Sequence, residues 1–139
     1  MFRKVISINT KKQFTSLNEI VADFVKGESG IGMVNIFTSH TTAAIKIIEN
    51  ELLLLADINN CLEEMFPEDK KYMHDRIEIR DVPVNERVNG FSHMRQMFFS
   101  TSENIPVQDG KLMLGKWQTL FFIEFDPIRK REVVLTYSN

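Results

Sequence analysis

The run from Trp117 to Phe125, Trp-Gln-Thr-Leu-Phe-Phe-Ile-Glu-Phe, sets the tightest limit on how this chain can fold. Successive side chains of a strand point to opposite faces of its sheet, and in this run both faces are apolar. A strand of that kind belongs in the middle of a sheet, covered on both sides. The remaining apolar segments must supply its neighbours and its cover.

Several of them have strand character. Phe2 to Ile8 alternates imperfectly around Val5, Ile6 and Ile8. Ile31 to Ser39 and Thr42 to Ile48 read as two more strands, with His40 and Thr41 at their junction, and Glu132 to Tyr137 as the last. After Asn89-Gly90 the pattern predicts strands over Ser92 to Ser100, Ile105 to Val107 and Lys111 to Leu114. The last two meet at Asp109-Gly110, where glycine supplies the positive φ that a tight hairpin requires.

Two segments have helical spacing instead. Leu17, Ile20, Val21, Phe24 and Val25 follow a Ser16/Glu19 capping-box pattern and precede Gly27 and Gly30. Ile58, Cys61, Leu62 and Met65 share one face of a helix running from about Asn50 to Phe66, with Pro67 beyond its end. Glu68 to Arg87 is highly charged and reads as a partly irregular excursion. The expected fold is α+β, a mostly antiparallel sheet or sandwich with two main helices, as a single domain over residues 1–139.

Charge narrows the partners. Lys and Arg number 17 against 19 Asp and Glu, so no net positive field gathers nucleic acid or an anionic membrane surface. The longest aliphatic run, Leu52 to Ala56, is far too short to cross a bilayer, and the N-terminal segment lacks the apolar core of a signal peptide. A single cysteine, Cys61, fits a reducing compartment, so a cytoplasmic location is expected.

The chemistry-bearing residues are scattered. His40 stands among hydroxylic neighbours, Ser39, Thr41 and Thr42; His74 lies in a polar stretch; His93, read on a strand, shares a face with Arg95 and Met97. Three neutral imidazoles around a divalent ion with one open position make a catalytic zinc arrangement. Their spacing alone does not select that over ordinary hydrogen-bonded histidines. Glu49, near a helix start, is a candidate general base or a carboxylate favoured by the helix N-terminus. In a regular strand it would face away from His40. Arg129, Lys130 and Arg131 are either a phosphate-holding cluster or a solvated turn. Ser100, with Thr101 and Ser102, offers donors to an anion, and Trp117-Gln118 offers an aromatic wall and an amide, although Trp117 reads first as a core residue.

Together these segments resemble one family. His40-Thr41-Thr42-Ala43-Ala44 leading to Glu49-Asn50, Tyr72 and His74, Asn89-Gly90 before His93, Ile105-Pro106-Val107 with Asp109-Gly110, Leu114-Gly115 with Trp117-Gln118, and Glu124-Phe125-Asp126 are similar in order and spacing to YjbQ-type proteins, also called secondary thiamine-phosphate synthases. The resemblance covers nearly the whole chain. It implies a sandwich-like subunit in a homotrimer, with His40, His74 and His93 at a metal, zinc by the donor set, and Glu49 as the adjacent acid. Thr41, Thr42, Asn89, Ser100, Trp117, Gln118, Arg129 and Arg131 then form the candidate substrate-binding set for a small phosphorylated molecule. Mg²⁺ enters only if the synthase activity is real, because a leaving pyrophosphate usually needs it. The family's Asp-Gly-Pro-Arg element appears here as Asp126-Pro127-Ile128-Arg129, which leaves the position of a phosphate-binding arginine open. A thiamine-phosphate synthase-like transferase, a zinc-dependent hydrolase or lyase acting on a small phosphorylated or carbonyl compound, and a non-catalytic trimeric binding protein all remain as functional readings.

Overall fold

The computed structural model describes every residue except Lys11 and Ile128. Eight strands among the described residues form two antiparallel sheets. β1 (Phe2–Asn9), β8 (Lys130–Ser138), β3 (Ile31–Phe37), β5 (Ser102–Gln108) and β6 (Lys111–Leu112) make a five-stranded sheet in that order. β2 (Phe14–Ser16), β7 (Gln118–Glu124) and β4 (Ala43–Glu49) make a three-stranded one.

The doubly apolar run is indeed the central strand of its sheet. Leu120 and Phe122 of β7 enter a core shared with Val34 and Ile36 of β3, Ile105 and Val107 of β5, and Val133 and Leu135 of β8. Phe121 and Ile123, on the other face, enter a second core with Phe14, Ala44 and Leu62. All four β7 side chains are essentially fully buried, and burial of each contributes about 1.5–3 kcal/mol. The three-stranded sheet is therefore the middle layer.

α1 (Asn18–Val25) closes the first core with Val21 and Val25. The expected capping box does not form there. Ser16 is paired with Phe121 as the last residue of β2, and the helix is tied instead to β7 through Asn18 Oδ1, which accepts the Leu120 amide at 2.9 Å. α2 (Leu52–Met65) covers the second core with Leu55, Ile58 and Leu62. Its start is capped by Glu51, whose carboxylate accepts the Leu53 and Leu54 amides at 2.9 and 2.8 Å.

The strand predicted over Ser92 to Ser100 is instead a third helix, α3 (Gly90–Gln96). The buried set Phe91, Ser92 and Arg95 has helical spacing, and the Arg95 guanidinium lies 4.9 Å from the Phe91 ring one turn away. His93 consequently does not share a face with Arg95, whereas Met97, one turn on, still follows it, its amide 3.3 Å from the His93 carbonyl. The excursion before α3 holds two short 3₁₀ turns, Met73–Asp75 and Ile77–Ile79. At the β5–β6 hairpin Asp109 and Gly110 both have positive φ, 47° and 72°, the signature of the expected tight turn. No helix among the described residues is long and apolar enough to cross a membrane.

Candidate functional site

At one end of the middle sheet β7 runs out at Glu124, opposite Ala43 at the start of β4. Beside it lie the β3–β4 connection, the chain entering β8, the 3₁₀ turns and the N-terminus of α3. Between them is a cavity of about 330 Å³. His40, Thr41 and Thr42 line it from the β3–β4 connection, His74, Arg80, Glu86 and Arg87 from the excursion, Asn89 and His93 from α3, and Asp126, Arg129 and Arg131 from the β7–β8 side. Alternation along the chain sends Arg129 and Arg131 to the cavity and leaves Lys130 exposed.

A buried ion pair forms the back wall. Arg131 and Glu124, each with a side chain 1% exposed, meet in two contacts, one of them Nε to Oε2 at 2.6 Å. Arg131 Nη2 also donates to Thr42 Oγ1 at 2.9 Å, and Glu124 Oε1 accepts the Asp126 amide at 3.1 Å. Asp126 is buried as well. Its Oδ1 accepts Asn89 Nδ2 at 3.1 Å and lies 3.2 Å from Ser92 Oγ, while Oδ2 faces Nη1 of both Arg87 and Arg129, each at 3.4 Å. Four arginines thus stand against Asp126, Glu86 and the adjoining Glu124, leaving one positive charge over.

The three histidines share this cavity. The rings of His74 and His93 lie 4.4 Å apart between centroids. Asp75 holds that pair together, because its Oδ1 accepts the Gly90 amide at 2.7 Å and its Oδ2 the Tyr72 amide at 3.2 Å, joining the turn that carries His74 to the start of α3. Gly90 has to be glycine there, since a Cβ would come within 2.5 Å of Tyr72 Cβ. His40 Nε2 accepts the Glu132 amide at 3.0 Å. A backbone amide can only donate, so Nε2 carries the lone pair and Nδ1 the proton.

Desolvation lowers the pKa of His40, and the nearby Arg131 and Arg129 add to the effect. His93 is lowered too, by desolvation and then by His74, against opposing contributions from Asp126 and the Thr41 backbone. Both shifts favour the neutral imidazole that a metal ligand must be. The donor set therefore has the chemistry of a zinc site. Its members are arranged for hydrogen bonding, and no three His, Cys, Asp or Glu side chains among the described residues stand close enough to hold one ion together. For His40 to coordinate through Nε2, it has to release the Glu132 amide.

The other candidates lie elsewhere. Glu49 pairs with Gln118, six residues along β4 from Ala43, a distance of about 20 Å at strand spacing. Trp117 is 64% exposed just before β7, with Lys116 Nζ 4.7 Å from its ring centre, so it belongs to no core. Gln118 Oε1 accepts the Gly115 amide at 2.8 Å. Ser100 Oγ lies 2.8 Å from the Ile45 carbonyl and 2.9 Å from Glu103 Oε1, stitching β4 to β5. The antiparallel register of β4 and β7 places Glu49, Trp117 and Gln118 at the end of the sheet away from the histidines. Ile128 of the Asp126–Arg129 element lies outside the described residues. Conversely, Arg80, Arg87 and Asp75 were missed, because nothing in the spacing of the charged excursion marks them out.

Comparison with other proteins gives one consistent result. A family model described as UPF0047 protein YjbQ-like matches residues 4–139. A UPF0047 protein of Methanothermobacter thermautotrophicus is 40% identical over 113 residues, covering 80% of this chain and 73% of that protein. One from Archaeoglobus fulgidus is 39% identical over 108 residues, 78% of this chain and 79% of its own. Among solved structures, a hypothetical protein of Aeropyrum pernix K1 superposes with a TM-score of 0.85 at 27% identity, over 100% of this chain and 99% of that one. An uncharacterised protein of the YjbQ/UPF0047 family from Clostridium acetobutylicum gives 0.81 at 31% identity, over 97% and 99%. With sequence, family model and fold in agreement over almost its whole length, the chain belongs to the UPF0047 YjbQ-like family.

Proposed function

We propose that the cavity binds a small phosphorylated metabolite and acts on it, with the arginines taking the phosphate and the three histidines working on the rest of the molecule. The observation that carries this reading is the gathering of four arginines and all three histidines around one cavity of about 330 Å³. A guanidinium recognises phosphate oxygens through paired, charge-assisted hydrogen bonds. Neutral imidazoles beside it can pass a proton to or from a reacting group near pH 7. With His40 Nε2 engaged by the Glu132 amide, Nδ1–H is the group left for that purpose.

Zinc fits this set by donor chemistry, with His40, His74 and His93 as the residues that would hold it. Bound there, it would supply Lewis-acid chemistry to the ligand. The chain's own contribution is to fix His74 against His93 through Asp75 and to favour neutral His40 and His93 by burial and neighbouring positive charge.

Thiamine-phosphate synthesis, the activity attached to the family resemblance, is best regarded as slow and secondary. It releases pyrophosphate, for which Mg²⁺ held by free carboxylates is the usual device. Asp126 already serves Asn89, Arg87 and Arg129, and Glu124 serves Arg131, so among the described residues Glu86 is left without a second carboxylate to pair with. Steady-state turnover below about 1 s⁻¹, the low end of ordinary enzymes, is expected with both substrates.

A non-catalytic trimeric protein that holds a metal or metabolite is the second reading, and the bond from the Glu132 amide to His40 favours its metabolite form, because it occupies the nitrogen a metal would take. Two measurements separate the readings. Protein purified without chelator and supplied with Zn²⁺ should hold stoichiometric metal that falls in His40→Ala, His74→Ala and His93→Ala alike. A set of small phosphate esters should then be turned over only by the metal-loaded form. Binding without turnover selects the second reading, and failure of wild-type protein to bind any phosphate removes the first.

A further inference from the structure

We propose that Arg87 and Arg129 form a two-armed seat for the terminal phosphate of a phosphomonoester, with Asp126 as the fixed counter-ion that spaces the arms. The inference rests on the phosphate reading of the cavity and assigns the group that carries it.

The four cavity arginines are not equivalent. Arg131 is committed, since its side chain is 1% exposed and its donors serve Glu124 and Thr42. Arg80 is anchored through Nη1 to the His74 carbonyl at 2.8 Å and braces the wall that carries that histidine. Arg87 and Arg129 are open, with side chains 46% and 36% exposed. Each guanidinium makes one side-chain contact among the described residues, the long one from Nη1 to Asp126 Oδ2 at 3.4 Å. A guanidinium has five N–H donors, so most of each arm is available to a ligand.

Asp126 determines the spacing. Its side chain is fully buried and its other oxygen is held by Asn89, so it cannot swing out to follow a ligand. Two Nη1 atoms that share one oxygen at 3.4 Å lie at most twice that distance apart, a gap that a single tetrahedral phosphate can bridge. Across the cavity four arginines against Asp126, Glu86 and Glu124 also leave one positive charge uncompensated. A phosphomonoester has three terminal oxygens and a charge near −2, enough to serve both arms together. A phosphodiester or a carboxylate offers two oxygens and one charge. The seat should discriminate on that count.

The arms come from distant parts of the chain, Arg87 from the excursion before α3 and Arg129 from the approach to β8. The charged excursion thereby becomes a specificity element of this chain and not merely a solvated surface.

The test is calorimetric titration with orthophosphate, ethyl phosphate, diethyl phosphate and acetate, on wild-type protein and on Arg87→Leu, Arg129→Leu and Lys130→Leu. Orthophosphate and ethyl phosphate should bind the wild type at least tenfold more tightly than diethyl phosphate or acetate. Arg87→Leu and Arg129→Leu should each weaken ethyl phosphate at least tenfold, with thermal midpoints showing that both variants fold, and Arg87→Lys should recover part of the loss. Lys130→Leu, which removes an equal charge outside the cavity, should bind as the wild type does. Wild-type binding that survives Arg87→Leu, or an equal loss in Lys130→Leu, overturns the two-armed seat and leaves the phosphate reading standing. No binding of either phosphate to the wild type overturns that reading and the seat with it.

Discussion

Removing either member of the Arg131–Glu124 pair should destabilise the protein more than removing both. The pair is buried to 1% exposure on each side, and its attraction offsets the loss of hydration of two full charges. In Glu124→Leu the guanidinium keeps, among the described residues, only Thr42 as partner, and the Asp126 amide loses its acceptor. Breaking a buried pair in this way costs about 3–5 kcal/mol. Total stabilities are about 5–15 kcal/mol, so either single variant sits close to unfolding. In Glu124→Leu/Arg131→Met no charge is stranded. What remains is chiefly the orphaned Asp126 amide, about 1–3 kcal/mol. At a urea slope of about 2 kcal/mol per molar, each single change lowers the midpoint by about 2 M and the double change by about half that. Urea unfolding followed by far-ultraviolet circular dichroism, at low temperature to retain the weak variants, reads all three. A double variant that loses as much as the two singles added together would refute the reasoning, because the residues would then act independently.

Tyr137 is 1% exposed and its hydroxyl has no partner among the described residues, so Tyr137→Phe should be neutral or stabilise by up to about 1 kcal/mol in the same assay; a clear loss would mean that the hydroxyl is satisfied. The pKa values of His40 and His93 are lowered in the folded protein, so below the ordinary 6.5 the unfolded chain takes up more protons and stability is lost as pH falls. Metal-free protein should therefore weaken from pH 7 to 5, and His40→Asn/His93→Asn should weaken less; parallel curves would remove the two histidines as the cause. Light scattering should report about three times the 16.2 kDa chain mass, in keeping with the family resemblance and with exposed Val5, Met33 and Phe37 on the large sheet; a clean monomer rejects the trimer.

Most of the fold was legible because its signals are local and redundant. β7 announced its central place through apolar side chains of both parities, and Asp109-Gly110 specified its hairpin through backbone conformation alone. The failures occurred where burial on folding outweighs the local pattern. Ser92 to Ser100 has enough apolar residues to pass for a strand. It is helical as far as Gln96 because Phe91, Ser92 and Arg95 must face inward together, with Arg95 Nη2 donating to the Phe66 carbonyl at 2.8 Å. That partner is 29 residues away and has no local trace. Ser16 and Glu19 match a capping pattern, but pairing of Ser16 into β2 takes priority.

The candidate site divides along the same line. His40, Thr41 and Thr42 were found because a strand junction with hydroxylic neighbours is visible in any sequence, and motif order linked His74, Asn89 and His93 to them. Register is not visible in that way. Glu49, Trp117 and Gln118 stand in motifs of the same resemblance, yet a strand whose start lines the cavity must carry its end about 20 Å away. Within one subunit those residues therefore cannot act on a ligand held by the histidines, and any joint role would require the far end of another copy. The arginines give the opposite lesson. Arg129 and Arg131 look interchangeable in sequence, two residues apart and facing the same way. Glu124 separates them, since it immobilises Arg131 in the wall and leaves Arg129 to meet Arg87 across Asp126. Which arginine can receive a phosphate thus depends on which carboxylate each one meets, a property of the folded chain and not of its order.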